Sequence, residues 1–344
     1  MQRATVPAAL CALLLLLIGL AQAGIISQYL LTVAMNVGIF IILSASLNLV
    51  NGYMGEFSCG HAGFMAVGAY ASSIAGVFLF VPDAVFGQPL LPMSLTPLAF
   101  PIILGVGFAA AALAGVVVAV PSFKTRGDYL AVITLAAGYI IKSAIQNIDA
   151  VGGPRGFMGM GKLVEGMETV AKLPWMLIWI FASVVFTVWL IRRFVYSTYG
   201  KGVMAIHQDE VAAEIMSVNT NRMKLIAFML SSGLAGLAGG LFAYMVSYID
   251  PKMFGIELST ACLLMVYLGG MGSLSGSVMS AILYWVLVEA LKPTLDVMHL
   301  PQTLKWVVIP LGLILLMQFR PEGLMGNREL SDLFPKLKRF YRFK

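Results

Sequence analysis

The sequence predicts an all-α integral membrane protein: one domain over 1–344, built as a polytopic bundle of about ten transmembrane or re-entrant helices. Three observations predict it. Sixty per cent of the 344 residues are apolar and only 11% are charged, for a mean hydropathy of +0.91. The apolar runs are continuous and rich in Leu, Ala, Met and Gly, and crossing a bilayer takes about 20 such residues. A membrane barrel would show short alternating strands instead, whereas a helix in lipid satisfies its own backbone. The 35 glycines complete the pattern, because small residues let helix backbones approach closely.

The segments run through 6–23, 25–50, 57–80, 96–120, 129–147, 174–196, 223–248, 258–272, 277–295 and 303–319. The first joins Arg3, a leucine-rich stretch and Ala21-Gln22-Ala23 before Gly24, the make-up of a secretory signal with a small-residue cleavage site. Segment two follows at once, so a retained helix in a tight hairpin is the expectation. Segment eight is short enough to be re-entrant or broken. Charge placement tests the count. Lys124 and Arg126 follow the fourth segment; Arg192, Arg193, Lys201, Arg222 and Lys224 surround the sixth and seventh. Lys336, Lys338, Arg339, Arg342 and Lys344 crowd a basic tail at 320–344. Lysine and arginine mark the cytoplasmic side, and the two and four intervening segments let all three groups sit there. Both termini then fall in the cytoplasm. The net charge of +6 lies largely beside apolar runs and implies no nucleic-acid partner.

Gly200 to Lys224, within a loop at 197–224, reads as a charged amphipathic helical segment between two long apolar runs. Such a segment gains by docking a partner. No catalytic grouping accompanies it. His61, His207 and His299 stand far apart, and Cys11, Cys59 and Cys262 offer neither disulfide nor metal spacing, so no metal site is expected. Gly156 to Lys162 has the spacing of a phosphate-binding loop. However, Leu163 replaces the magnesium-binding hydroxyl, no strand precedes it, and it falls in an external loop. If ATP drives this protein, another chain must bind it, and no cofactor is expected in this one.

Polar groups within the spans are few: Asn48 and Asn51, Lys142 and Gln146, Glu289 and Lys292. The last pair is spaced to meet on one helical face, and Lys142 reads as snorkelling. Glu56, Asp128 and Glu257 all fall at segment ends, which weighs against an ion-coupled carrier. Gly60 to Tyr70 opens segment three with small residues at helical spacing, suiting either a thin-walled substrate path or plain packing. His61 is then a polar contact near that path or a satisfied interfacial histidine. Gly233, Gly236, Gly239 and Gly240 read as a packing stripe. In the external loop 149–172, Gly152-Gly153-Pro154 dictates a turn, and Arg155 either guides a soluble partner or is solvated. Gly52-x-Met54-Gly55-x-x-Ser58 is echoed by Gly269-x-Met271-Gly272-x-x-Ser275, which would fit a parallel internal repeat.

The run Gly52-x-x-Gly55-x-x-Ser58-x-Gly60-His61-Ala62-x-Phe64-x-x-x-Gly68-Ala69-Tyr70 closely resembles the permeases of branched-chain amino-acid ABC importers. So do Thr125 to Leu135, Gly152-Gly153-Pro154-x-Gly156, Asp209-Glu210-x-Ala212-Ala213-Glu214, Leu268 to Gly276 and Phe319-Arg320-Pro321-x-Gly323-Leu324. The Arg-Gly-Asp-Tyr and Arg-Pro-x-Gly-Leu elements are similar to the M-type subunit. The resemblance implies a non-catalytic, multi-pass subunit of the bacterial inner (plasma) membrane. It implies a second homologous permease, two cytoplasmic ATPases that hold ATP and Mg, and a periplasmic substrate-binding protein. It also implies a coupling helix carrying Asp209, Glu210, Ala212, Ala213 and Glu214, while Ser58, Gly60, His61, Gly63, Phe64, Tyr129 and Thr134 are the candidates for the translocation path. One departure stands out: Ser217 occupies a position where the family has glycine. The expected substrate is Leu, Ile, Val or a similar amino acid. Urea or a short amide is the alternative, and a stand-alone channel or ion-coupled carrier is the alternative of another class.

Overall fold

The computed structural model describes residues 27–82, 87–123, 129–299, 301–319 and 322–326, together with 18, 19, 22 and 329. Most of the first apolar segment, Lys124 to Asp128, Arg320-Pro321 and the basic tail lie outside the described residues. Expectations about cleavage, the termini and the Arg-Gly-Asp element fall there.

Each remaining apolar segment is a helix. Seven are long and apolar enough to cross a membrane. In chain order they are α1 (Gln28–Asn48), continued by a π-helical turn Leu49–Met54, α2 (His61–Phe80) and α3 (Thr96–Ser122). There follow α4 (Tyr129–Gln146), α6 (Trp175–Val195), α9 (Thr220–Val246) and α11 (Leu274–Val297). Between them stand α5 (Met160–Val170), α7 (Thr198–Gln208), α8 (Glu210–Ile215), α10 (Ile256–Gly269) and α12 (Lys305–Phe319). With 14 residues α10 rises about 21 Å, which bears out the short eighth segment.

The centre of the bundle is the trio α2, α3 and α9, and glycine brings their backbones together. A methyl added at Gly68 would fall on the Gly236 Cα, and one at Gly107 would lie 2.8 Å from the Gly68 carbonyl. Gly233 faces the Phe108 ring and Gly240 faces Ser72 at 2.8 Å each, so this stripe packs helices as its spacing predicts. Around the trio, Phe100 stacks edge-on against Tyr244 at 5.0 Å, and α1 packs against α6, α9 and α11. Glu289 and Lys292 meet at 2.6 Å as their spacing predicts, and the Tyr29 hydroxyl donates to the same carboxylate.

The loop 149–172 is more than a turn. Phe157–Met158 (β1) pairs antiparallel with Tyr248–Ile249 (β2), and amphipathic α5 buries Met160, Leu163 and Met167 beneath it. The expectation of a solvated turn holds only for the exposed Pro154-Arg155 tip.

Candidate functional site

At one end of the bundle the polypeptide between α6 and α9 folds back on itself. The single helical segment expected over 200–224 divides into α7, α8 and the first turn of α9; Asp209 is extended (φ −158°, ψ 112°) and ends α7 while beginning α8. Its side chain accepts from the Ala212 N–H at 3.0 Å, a use that its place in an amphipathic pattern conceals. Within α8 Ala213 is buried, while Val211, Ala212 and Ile215, together with Met216 at the C-cap, are exposed. Glu214 accepts from the Thr220 hydroxyl at 3.0 Å, closing the turn into α9. Of the five coupling residues expected here, Asp209, Ala213 and Glu214 thus hold α8 in shape, and Ala212 lies on its free face. Glu210 ties it to the bundle: Lys224 reaches Glu210 at 2.8 Å and Glu56 at 2.7 Å. Lys224 is nearly buried, so it bridges α8 to the segment joining α1 and α2. His207 packs beside it, 2.6 Å from where a methyl on Gly55 would stand. Pattern reading marked Lys224 only as a flanking charge, and its two partners are distant in sequence.

The two halves of the internal echo meet at this same end. Asn48 donates to the Ser273 carbonyl at 2.8 Å and to Ser277 Oγ at 2.7 Å, and its own oxygen accepts from Gly272 N–H at 3.0 Å. Glu329, which no motif signalled, accepts from the Leu274 and Ser275 amides at 2.9 and 3.1 Å and so caps α11.

The segment 55–60 climbs into the bundle before α2 begins. His61 Nε2 meets Ser46 Oγ at 2.8 Å, and Ser46 lies two turns above the end of the π-helical run at Met54. Non-helical backbone at that depth needs partners from the protein. Asn51 supplies one to the Ser58 N–H at 3.2 Å, and Thr134 one to the Cys59 N–H at 3.1 Å. The Ser259 hydroxyl supplies another to the Ala62 N–H at 3.2 Å, so the first turns of α2 and α10 touch inside the bundle.

The path candidates separate accordingly. Gly60 and Gly63 lie against Thr134 and Gly138, where methyls would stand 2.5 and 2.7 Å from α4 backbone. His61 is buried and satisfied, and lies inside the bundle rather than at its surface. Phe64 is buried edge-on against Phe228 at 5.5 Å. Ser58 is buried, and its hydroxyl has no partner among the described residues. Tyr129, 67% exposed at the start of α4, stands apart from them. What the structure assembles is therefore the junction of α2, α4 and α10, with Gly63 on a cleft and Thr134 as its brace.

The sequence matches, over residues 29–317, the family described as branched-chain amino acid transport system / permease component. It is 29% identical to the high-affinity branched-chain amino acid transport system permease protein LivM of Escherichia coli (strain K12), across 90% of this chain and 73% of that protein. The probable branched-chain amino acid transport permease protein LivM of Methanocaldococcus jannaschii is 23% identical across 88% of this chain and 94% of its own. The permease protein LivH of Salmonella typhimurium shares 30% identity over 40% of this chain and 43% of its own length. No solved structure matches. With nine-tenths of its length aligned to one such permease and the family pattern running from α1 into α12, this multi-pass membrane chain belongs to the branched-chain amino acid transport permease family.

Proposed function

We propose that this chain is one of two permease subunits of an ATP-driven importer for Leu, Ile, Val or a similar small amino acid, in the inner membrane of a bacterium. A second, homologous permease completes the path. Two cytoplasmic ATPases bind ATP and Mg, and a periplasmic binding protein delivers the substrate. The end bearing α7 and α8 faces the cytoplasm, as do both termini. The observation that carries the reading is α8 itself: a short capped helix that exposes Val211, Ala212 and Ile215, with Met216 at its C-cap, and is ion-paired through Glu210 and Lys224 to the segment entering α2. An apolar helix face held rigidly on a surface is suited to a groove on a partner, and rigid-body motion of that partner would pass to α6, α9 and the 55–60 segment.

The test is uptake by proteoliposomes holding the assembled complex. Replacing Val211 and Ile215 together by Asp should lower ATP-dependent leucine uptake at least tenfold, while the binding protein keeps its affinity for leucine. Uptake by this chain without ATPases would overturn the reading, as would wild-type transport by the doubly substituted complex.

A further inference from the structure

Lys336, Lys338, Arg339, Arg342 and Lys344 stand close together with no acid among them, and they nearly account for the net +6 of the whole chain. Leu337, Phe340, Tyr341 and Phe343 interleave with them, the first three at the i, i+3, i+4 spacing of one helical face. A run that joins Lys and Arg to Phe and Leu in this way suits the boundary between lipid headgroups and acyl chains. The run lies outside the described residues, but the point from which it starts does not. The Leu324 and Met325 N–H groups donate to the carbonyls of Leu268 and Gly269 at 2.9 and 3.2 Å, and Glu329 accepts from the first amides of α11. The chain is thereby fixed at the end of a membrane-spanning helix. Lys336 follows Glu329 by seven residues, a length that reaches about 25 Å at most. So short a link cannot carry Lys336 far from the bilayer surface.

The described surface at the same end has the same make-up. Trp189 is exposed within α6, Arg193 is exposed one turn later, and Tyr196, Tyr199 and Lys201 are exposed as the chain leaves α6 and enters α7. Aromatic rings beside cations mark the headgroup level of a membrane. Arg193 and Lys201 join no ion pair of the described residues. The free face of α8 is different, being small and aliphatic, so lipid and protein partners have separate ground at this end.

We propose that this end of the molecule binds anionic phospholipid headgroups, with Arg193 and Lys201 holding them beside α6 and Lys336 to Lys344 lying across their neighbours. Each Lys or Arg near such a surface adds to the attraction, and salt screens it. This binding needs only a membrane-spanning chain and stands apart from the importer reading.

The protein, with the subunits that purify with it, would be placed in lipid nanodiscs of phosphatidylcholine alone or mixed with phosphatidylglycerol. Chymotrypsin cleavage at Phe340, Tyr341 and Phe343 would be followed by mass spectrometry. Phosphatidylglycerol should slow cleavage at least fivefold. Raising the salt to about 0.5 M, where charge reaches only about 4 Å, should restore the rate. Free glycerol phosphate added to the phosphatidylcholine discs should not protect. Replacing all five cations by Gln should make the rate the same in both lipids, and replacing the three lysines by Arg should leave the protection intact. In native mass spectra of the protein from mixed discs, retained phosphatidylglycerol should exceed retained phosphatidylcholine at least threefold. Arg193→Gln with Lys201→Gln should halve that excess or more. Equal cleavage of the unsubstituted protein in the two lipids would overturn the proposal. So would full protection already in phosphatidylcholine, which would assign the run to a protein partner, or protection by free glycerol phosphate. Retention of phosphatidylglycerol indifferent to Arg193 and Lys201 would overturn it as well.

Discussion

Ser217 is the residue at which sequence and backbone disagree most clearly. It has φ +63°, and the Val218 N–H reaches back to the Ala213 carbonyl at 3.1 Å, so α8 ends in a left-handed C-cap of the kind that favours glycine. The departure seen at this position is therefore a substitution of a strained residue for an unstrained one. Ser217→Gly should stabilise the loop by about 0.5–1 kcal/mol, the relief of the Cβ clash less the added freedom of the unfolded chain. Slower hydrogen exchange at the amides of 210–218 would show it, and faster exchange would mean that the hydroxyl has a role of its own. Composition and periodicity see only that serine is polar; the signal at this position was the glycine that the family usually has there. Glu329 gave no such signal. It lies beyond the last apolar run, and its use depends on a fold that returns the chain through Leu324 and Met325 to the carbonyls of Leu268 and Gly269.

At the scale of elements, apolar length was a guide to seven of the nine segments within the described residues, because a bilayer imposes one length on every crossing helix; α10 and α12, at 14 and 15 residues, fall short of it. Contacts between elements were less legible. The β1–β2 pairing joins residues far apart in sequence, and its short strands are too brief to carry a period. The glycine stripe was readable, since four glycines at helical spacing on one helix ask for a close neighbour. Their partners on α2 and α3 had to be seen. The contact predicts a sharp asymmetry between two glycines in adjacent helices. Gly68→Ala must push α2 from α9 and should cost about 1–3 kcal/mol, as overpacked cores do. Gly105→Ala meets nothing within 4 Å and should be neutral or stabilise by up to about 1 kcal/mol through helix propensity. Thermal unfolding of the two variants in the same detergent checks this, and equal melting temperatures would mean that the trio is not held by backbone contact.

For the whole molecule, the junction of α2, α4 and α10 and the exposed helix α8 are linked through Lys224. This lysine holds Glu210 on α8 with one contact and Glu56 with the other, and Glu56 begins the segment that climbs to Ser58, Cys59 and the start of α2. Motion of α8 thus has a short route to the backbone at that junction: Glu210 to Lys224 to Glu56, then along 55–60 to the amides held by Asn51 and Thr134. A path of contacts becomes a coupling only when its members depend on one another, and a double-mutant cycle measures that dependence. Glu210→Gln, Glu56→Gln and the double variant should each lower leucine uptake per ATP hydrolysed in the reconstituted complex. The double variant should be little worse than the weaker single one, because breaking either contact already interrupts the route. Lys224→Met should match the double variant, and Lys224→Arg should recover most of the coupling by keeping both ion pairs. Losses that simply multiply in the double variant would mean that the two carboxylates act independently and that Lys224 only fastens the loop in place.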